Sequence, residues 1–360
     1  MERFSCRTEI LSGRGAVSAL AEGNPGKLFL VTDPYFMKNG AAQRLAAGTG
    51  AKQVEYFDQV TPDPTVELAA AGTARLRAFE PDLLVALGGG SAMDCAKAMR
   101  YFSGIKCRFA AVPTTSGSGS EVTDFAILTH NGVKHPLVDP TLRPDVAILD
   151  SDFLDGLPKS LIADAGFDVL THALEAWTGR NATPFSDALA RDGFCTAYSL
   201  LPESFAGCRE VRLKIHQASA MAGLSFTLAG LGLCHAMSHA LGGAFHVPHG
   251  RLNAILLPAV MEANLPAAGK RYAELARSAG MEGTSDTVAF RNLKSGLISL
   301  RHRLELPATL VQAGVPAAEI AAKSGEIVSA VLADPCCQTN PVIPDRSMVR
   351  KVLQEVTGRG

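Results

Sequence analysis

Four segments, KLFLVTD (27–33), DLLVALGGG (82–90), CRFAAVPTT (107–115) and DVAILD (145–150), are apolar at nearly every position. A strand with two apolar faces must be covered on both, and helices joining successive strands supply that cover. Helical patterns near 36–47, 65–79 and 91–102, and a further strand at KQVEYF, alternate with these runs. The first part of the chain therefore reads as a Rossmann-like parallel sheet, with Asn131-Gly132 marking one hairpin. Beyond residue 150 the strand signals stop, and alanine- and leucine-rich helical segments run from Lys159 almost to the end. Pro158, Pro184, Pro202, Pro248 and Pro258 read as their starts and stops. The expected architecture is α/β followed by all-α, with a dinucleotide-binding domain over 1–155 and a helical metal-binding domain over 156–360. A chain of 360 residues is also longer than one core usually fills.

Composition excludes several classes. Lysine and arginine total 34 against 35 acidic residues, so neither nucleic acid nor an anionic membrane is expected as a partner. No apolar run reaches the roughly 18 residues of a membrane span, and the start lacks the apolar core of a secretion signal. Eight scattered cysteines without a CxxC pair read as free thiols in a reducing cytoplasm.

Two loops have the chemistry of phosphate cradles. Gly88-Gly89-Gly90-Ser91 falls where a strand turns into a helix, so backbone can approach a ligand and free helix N–H groups can face it. Asp94, three residues after Ser91, completes a possible capping arrangement for that helix. Thr114-Thr115-Ser116-Gly117-Ser118-Gly119-Ser120 follows the next strand and offers five hydroxyls. Each loop alone is equally a plain turn or surface loop; as a pair they point to a nucleotide at the strand ends. Asp33, ending the 27–33 strand, reads either as a helix cap or as an acceptor for ribose hydroxyls that favours NAD over NADP.

The helical half carries a different signal. Four of the nine histidines, His235, His239, His246 and His249, fall within fifteen residues. Asp168 and His172 are four apart on an upstream helical segment, and His235 and His239 repeat that spacing, so each pair shares a helix face. Burying such a cluster without a counter-ion would be costly, and a bound cation is the cheaper explanation. Imidazoles with one carboxylate suit Fe²⁺ or Zn²⁺ better than Mg²⁺ or Ca²⁺. An open coordination position would polarise a substrate oxygen.

Taken together, GGGSAMD (88–94), PTTSGSGSE (113–121), DVLTHALEAW (168–177) and HAMSHALGGAFHVPHG (235–250) resemble the iron-dependent (group III) alcohol dehydrogenases, a group within the dehydroquinate synthase-like superfamily. The likeness runs from the first strand to about residue 340. TPDPT (61–65), the end of the N-terminal strand and the FHVPHG form are most similar to the 1-propanol dehydrogenases of propanediol-utilising microcompartments. The resemblance implies Asp168, His172, His235 and His249 as metal ligands and His239 as a catalytic histidine beside the nicotinamide. It assigns Gly89, Gly90, Ser91 and Asp94 to the pyrophosphate loop, and Thr114, Thr115 and Ser118 to the second nucleotide loop. Lys134 would contact the cofactor ribose, Asp33 would set NAD preference, and Phe125 and Phe226 would line the substrate channel. Departures from the family pattern are Ser118 for threonine, Arg251 after the PHG motif, and Asn340-Pro341-Val342 for Asn-Pro-Arg. His246 receives no role beyond a surface or supporting position.

The implied function is NAD(H)-linked, metal-dependent interconversion of short primary alcohols and aldehydes, with Fe²⁺ or alternatively Zn²⁺. The family also implies a homodimer or larger assembly, cytoplasmic or lodged in a bacterial microcompartment. Three rivals stand beside it: a glycerol-type polyol dehydrogenase, a lyase resembling dehydroquinate synthase, and a non-catalytic NAD-binding scaffold. The lyase would need many basic residues converging on an acidic substrate, and few stand near the metal segments, Arg251 being the main exception. A scaffold would be expected to have lost a ligand.

Overall fold

The structure, a computed structural model, describes residues 5–358. The chain divides into two compact units, the first ending at Leu157 and the second beginning at Pro158. In the first, the elements run β1 (Glu9–Ser12), β2 (Lys27–Thr32), α1 (Pro34–Lys38), α2 (Ala41–Gly48), β3 (Gln53–Phe57), α3 (Val66–Phe79), β4 (Leu83–Gly88), α4 (Gly90–Ser103), β5 (Arg108–Pro113), β6 (Phe125–His130), β7 (Val133–Val138) and β8 (Val146–Leu149). Six strands form a parallel sheet in the order β1-β8-β5-β4-β2-β3, and β6 pairs with β7 as an antiparallel hairpin.

The apolar runs work as their composition requires. Alternate residues of β2, β4 and β5 point to opposite faces: Leu28, Leu30, Val85 and Val112 pack with Leu45 of α2, while Phe29, Val31, Leu84 and Phe109 pack with Leu76 of α3 and Met99 of α4. After β3 the chain returns past β2 to lay down β4, then continues through β5 and β8 on that side. The order therefore reverses between β2 and β4, and the carboxyl ends of these strands border the crevice where open α/β sheets take ligands.

Several local expectations change. β1 was not legible, because it is a four-residue edge strand with largely exposed side chains. The helix expected over 36–47 is two helices, broken at Gly40, whose φ of 78° places it in the left-handed region. Asp94 does not cap α4, whose N-cap is Gly89 and which has no side-chain cap. The Asp94 carboxylate instead points back to accept from Ser120 Oγ at 2.9 Å and Ile127 N at 3.2 Å.

The second unit contains α5 (Lys159–Thr178), α6 (Pro184–Ala206), α7 (Arg212–Ala229), α8 (Leu233–Phe245), α9 (His249–Ser278), α10 (Asp286–Arg303), α11 (Ala317–Ala333) and α12 (Arg346–Thr357). Pro158 and Pro248 are N-caps and Pro184 is the first residue of α6, but Pro202 and Pro258 lie inside α6 and α9. Proline removes one N–H from a helix interior, and the flanking buried residues of these long helices keep them continuous. No single helix among the described residues is long and apolar enough to cross a membrane.

α5 is the centre of this unit, packed against α6, α7 and α9 and buried at nearly every position from Ile162 to Thr178. Such a helix is apolar all round. Asp164, Asp168, His172 and Glu175 are the ionisable exceptions, and their spacings of four, four and three put them along one face. Ionisable groups buried this deeply must be partnered.

Candidate active site

The partners come from α8 and from the first turn of α9. The Nε2 atoms of His172, His235 and His249 lie 3.8, 3.7 and 3.5 Å from a single atom, Oδ1 of Asp168. Ligand atoms of Asp168, His172 and His235 all fall within 4.8 Å of one another. His172 stacks between His235 and Phe226, with both ring centroids 4.5 Å away. Asn253, one turn after His249, donates from Nδ2 to Asp168 Oδ1 at 2.7 Å. Its Oδ1 accepts from Ser238 Oγ, which fixes the amide's orientation.

Close helix approach makes this convergence possible. A Cβ at Gly250 would fall 1.9 Å from the backbone oxygen of Asp164, so only glycine lets the start of α9 lie against α5. Arg251, a departure from the family pattern, is drawn into the same junction. Its Nε and Nη2 meet the two Asp164 carboxylate oxygens at 3.1 and 3.0 Å.

Glu175 performs two tasks. Its Oε2 lies 2.6 Å from His235 Nδ1 and accepts from Gly232 N at 2.8 Å, while Oε1 accepts from Cys234 N at 2.7 Å. The carboxylate thus satisfies the N-terminal N–H groups of α8 that its own residues do not cap. A carboxylate only accepts, so His235 donates its Nδ1–H and directs Nε2 toward Asp168, as the atom that would hold a cation. Asn340 completes this helix start, its Oδ1 accepting from Leu233 N at 3.0 Å. Its Nδ2 donates to the carbonyl of Val342, the residue standing where the family has arginine.

The electrostatics favour positive charge here. Burial disfavours ionised Asp168, but His172, His249 and His235 outweigh it and hold the carboxyl well below its usual range. Burial likewise opposes charge on His235, yet Glu175 and Asp168 raise it to about 9. Burial and the neighbouring imidazoles keep His249 well below its ordinary value despite Asp168. A divalent cation would exchange for the proton that these carboxylates attract. Three inward imidazole nitrogens and one carboxylate oxygen are a donor set that fits Fe²⁺ or Zn²⁺.

Removing the Glu175 charge is a direct check. In Glu175→Gln an amide oxygen in the Oε2 position still accepts from His235 and Gly232, but it is uncharged and its NH₂ faces the Cys234 N–H. Retention of the cation is expected to weaken about 10- to 100-fold, measured as metal per chain after graded chelation. Unchanged retention would mean that Glu175 serves only the helix start.

His239 shares a helix face with His235, and its ring stacks on His249 with centroids 5.4 Å apart. Its Nδ1, however, lies 2.8 Å from Asp334 Oδ2, a partner from outside the cluster. Burial opposes ionisation of Asp334, but the His239 hydrogen bond outweighs it and lowers the carboxyl. His246 is exposed and ends α8 in the left-handed conformation, with φ 55°.

In the first unit the two loops meet. Thr114 N donates to Gly88 O at 2.9 Å. A Cβ at Gly89 would lie 3.4 Å from Thr115 Oγ1, and one at Gly90 would lie 3.3 Å from Ser118 Oγ. Gly88 has φ 156°, and a Cβ there would come within 2.6 Å of Ala92. Ser91 follows in the first turn of α4, whose N–H groups lack a side-chain cap and suit an anion. Asp33 caps α1, with Oδ1 accepting from Tyr35 N and Phe36 N at 2.8 and 3.3 Å. Its Oδ2 lies on the Gly88 side, 3.9 Å from where a Cβ would sit.

Two expected contacts lie elsewhere in this unit. Lys134, on β7, pairs with Asp63 at 2.6 Å. Phe125 begins β6, and its ring covers Lys97 Nζ at 5.8 Å, whereas Phe226 belongs to the second unit.

Lys97 ties the base of the second loop to the hairpin, donating to Ser120 Oγ, Thr123 Oγ1 and Phe125 O at 3.0, 2.9 and 2.8 Å. Burial draws its ammonium down to about 8, against the attraction of Asp94, Glu121 and Asp124. Glu121 is buried beside it, its Oε1 without a hydrogen-bond partner among the described residues, and burial pushes its carboxyl up to about 7. Between the ordinary glutamate value of 4.5 and about 7 the folded chain holds the extra proton, so stability from Glu121 is lost as pH rises through that window. Glu121→Gln is therefore expected to gain on the wild type between pH 5 and pH 8. The gain is on the order of 1–2 kcal/mol, allowing for lost attraction to Lys97, and denaturant midpoints read it. A gap that does not change with pH would remove buried charge as its cause.

Comparison with known proteins agrees with this geometry. Residues 7–151 match the iron-containing alcohol dehydrogenase family, and residues 162–357 match the C-terminal domain of the Fe-containing alcohol dehydrogenase family. The chain is 37% identical to the 1-propanol dehydrogenase PduQ of Salmonella typhimurium, over 99% of this chain and 100% of that protein. It is 33% identical to an NADPH-dependent butanol dehydrogenase of Clostridium saccharobutylicum, over 98% and 97% of the two chains. The iron-containing alcohol dehydrogenase of Thermococcus thioreducens superposes with a TM-score of 0.91 at 33% identity, covering 98% and 99%. Sulfoacetaldehyde reductase from Bifidobacterium kashiwanohense, solved with NAD⁺, superposes at 0.89 with 26% identity, covering 100% of both chains. With both halves matched and full-length relatives above 30% identity, the chain belongs to the iron-containing alcohol dehydrogenase family.

Proposed function

We propose that this chain interconverts short-chain primary alcohols and aldehydes by reversible hydride transfer with NAD(H), with 1-propanol and propionaldehyde as the leading pair. The observation that carries the reading is the convergence of three imidazole nitrogens on Asp168 Oδ1, within a chain of this family. Similarity to 1-propanol dehydrogenases supports the substrate size. The first unit is the dinucleotide-binding domain and the second the metal-binding domain.

Asp168, His172, His235 and His249 would hold the ion, Fe²⁺ first and Zn²⁺ second. Bound there, the ion supplies Lewis acidity that lowers the proton affinity of a hydroxyl and polarises a carbonyl. Glu175 orients His235, and Asn253 orients Asp168. His239 donates Nδ1–H to Asp334, which leaves Nε2 as a proton acceptor. Its side chain is 21% exposed, so a proton taken at Nε2 can pass on to solvent. A bound nicotinamide would supply the hydride acceptor and donor, chemistry that belongs to the cofactor.

Backbone N–H groups of Gly89, Gly90 and Ser91 would receive the pyrophosphate, with Thr114, Thr115 and Ser118 around it. Asp94 and Lys134 act behind these groups, because each is already engaged by protein partners. Asp33 Oδ2 would accept from ribose hydroxyls and repel a 2′-phosphate, although a 33% identical relative is named as NADPH-dependent. Phe226, packed on His172, would shape the apolar wall beside the alcohol.

Protein reconstituted anaerobically with Fe²⁺ is expected to consume NADH with propionaldehyde. NADH should be preferred over NADPH by at least about tenfold, equivalent to ~1.4 kcal/mol. Silence with every small aldehyde and alcohol would overturn the assignment. Subgroup similarity further supports a homodimer or larger assembly and residence in a microcompartment; sedimentation and co-purification with shell proteins test these.

A further inference from the structure

His239, Asp334 and Cys336 form a second cluster beside the first. Their ligand atoms all lie within 4.8 Å of one another, and all three side chains are partly accessible. Asp334 organises the group: Oδ2 meets His239 Nδ1, and Oδ1 accepts from Cys336 N at 2.8 Å, fixing the turn that carries the thiol. One imidazole, one carboxylate and one thiol are the donors that select Zn²⁺ and similar borderline or soft divalent cations over Mg²⁺ and Ca²⁺. Three protein ligands leave one tetrahedral position for water.

We propose that His239, Asp334 and Cys336 form an inhibitory site for a zinc-type divalent cation, separate from the cluster around Asp168. Binding forms coordinate bonds to His239 Nδ1, an Asp334 oxygen and Cys336 Sγ, without any change of oxidation state. The thiol releases its proton to solvent. The neutral imidazole loses its Nδ1 proton and carries one on Nε2 instead, so one proton leaves overall. Nε2 can then no longer accept the proton that the alcohol gives up. The inhibitory consequence rests on the role proposed for His239; occupancy of the site does not.

The test uses iron-loaded enzyme and Zn²⁺ or Cd²⁺ alone as probes. Equilibrium dialysis should find one Zn²⁺ bound per chain beyond the iron, with iron content unchanged, and turnover should fall reversibly. Cd²⁺ should produce a thiolate charge-transfer band in the wild type and in Cys337→Ser, whose Sγ in the native chain is turned to the Val331 carbonyl. Cys336→Ser should lose that band and need at least about tenfold more Zn²⁺ for the same inhibition, with its zinc-free activity retained. Release of iron in step with Zn²⁺ uptake, or equal zinc sensitivity in Cys336→Ser, would overturn the site. A Cd²⁺ band that depends on Cys336 without inhibition would keep the site and instead remove His239 from proton transfer.

Discussion

Asp168→Asn, prepared anaerobically with Fe²⁺, is expected to hold less than about a tenth of the wild-type metal and to lose at least about a thousandfold in kcat. Oδ1 of Asp168 is the one atom to which all three imidazoles turn. The substitution keeps size and shape while removing the negative charge from a buried position. Taking one partner from a buried charged set costs about 3–5 kcal/mol, which as lost affinity alone corresponds to about a hundredfold to several thousandfold. Loss of Lewis acidity then compounds it. Metal per chain and NADH-linked turnover are the two readouts, with circular dichroism as the check on folding. Full retention of iron in the variant would show that the cation is held elsewhere.

His239→Ala should behave in the opposite way. Its ring faces Asp334 at 2.8 Å and stacks on His249 rather than joining the contacts to Asp168. The variant is expected to keep its iron to within a factor of about two or three while kcat falls about 10²- to 10⁴-fold, the span of a lost general base. Added imidazole should restore part of the rate, because the missing function is a proton acceptor. A loss of iron as large as that in Asp168→Asn would instead make His239 a ligand. The two variants together separate holding the cation from moving the proton.

Parts of this site are legible in local spacing. The i and i+4 pairs Asp168/His172 and His235/His239 follow from helical geometry, and Glu175 three residues after His172 extends the same face. Asn253, four residues after His249, likewise shares its helix face. Spacing alone does not mark Glu175 or Asn253 as part of the site, since acids and amides are common on helices and only burial makes them notable. Asp334 carried no local signal, because its role depends on α8 lying next to the turn after α11.

The amino-acid order by itself determined the two-faced apolar strands, and hence a parallel sheet with helices on both sides, because a strand cannot leave either apolar face in water. It also determined the imidazole supply and the glycine-rich strand ends. Folding alone decided which histidines meet. Successive i, i+4 side chains on α8 stand 6.2 Å apart between ring centres, and the neighbouring segments send one to Asp168 and the other to Asp334. Those partners are 60, 85 and 95 residues away in the chain for Glu175–His235, Asp168–Asn253 and His239–Asp334. The Asp168–Asn253 contact depends on how closely α9 approaches α5 at Gly250, and the other two on how α8 lies against α5 and the turn after α11, distances set by packing and not by any local pattern.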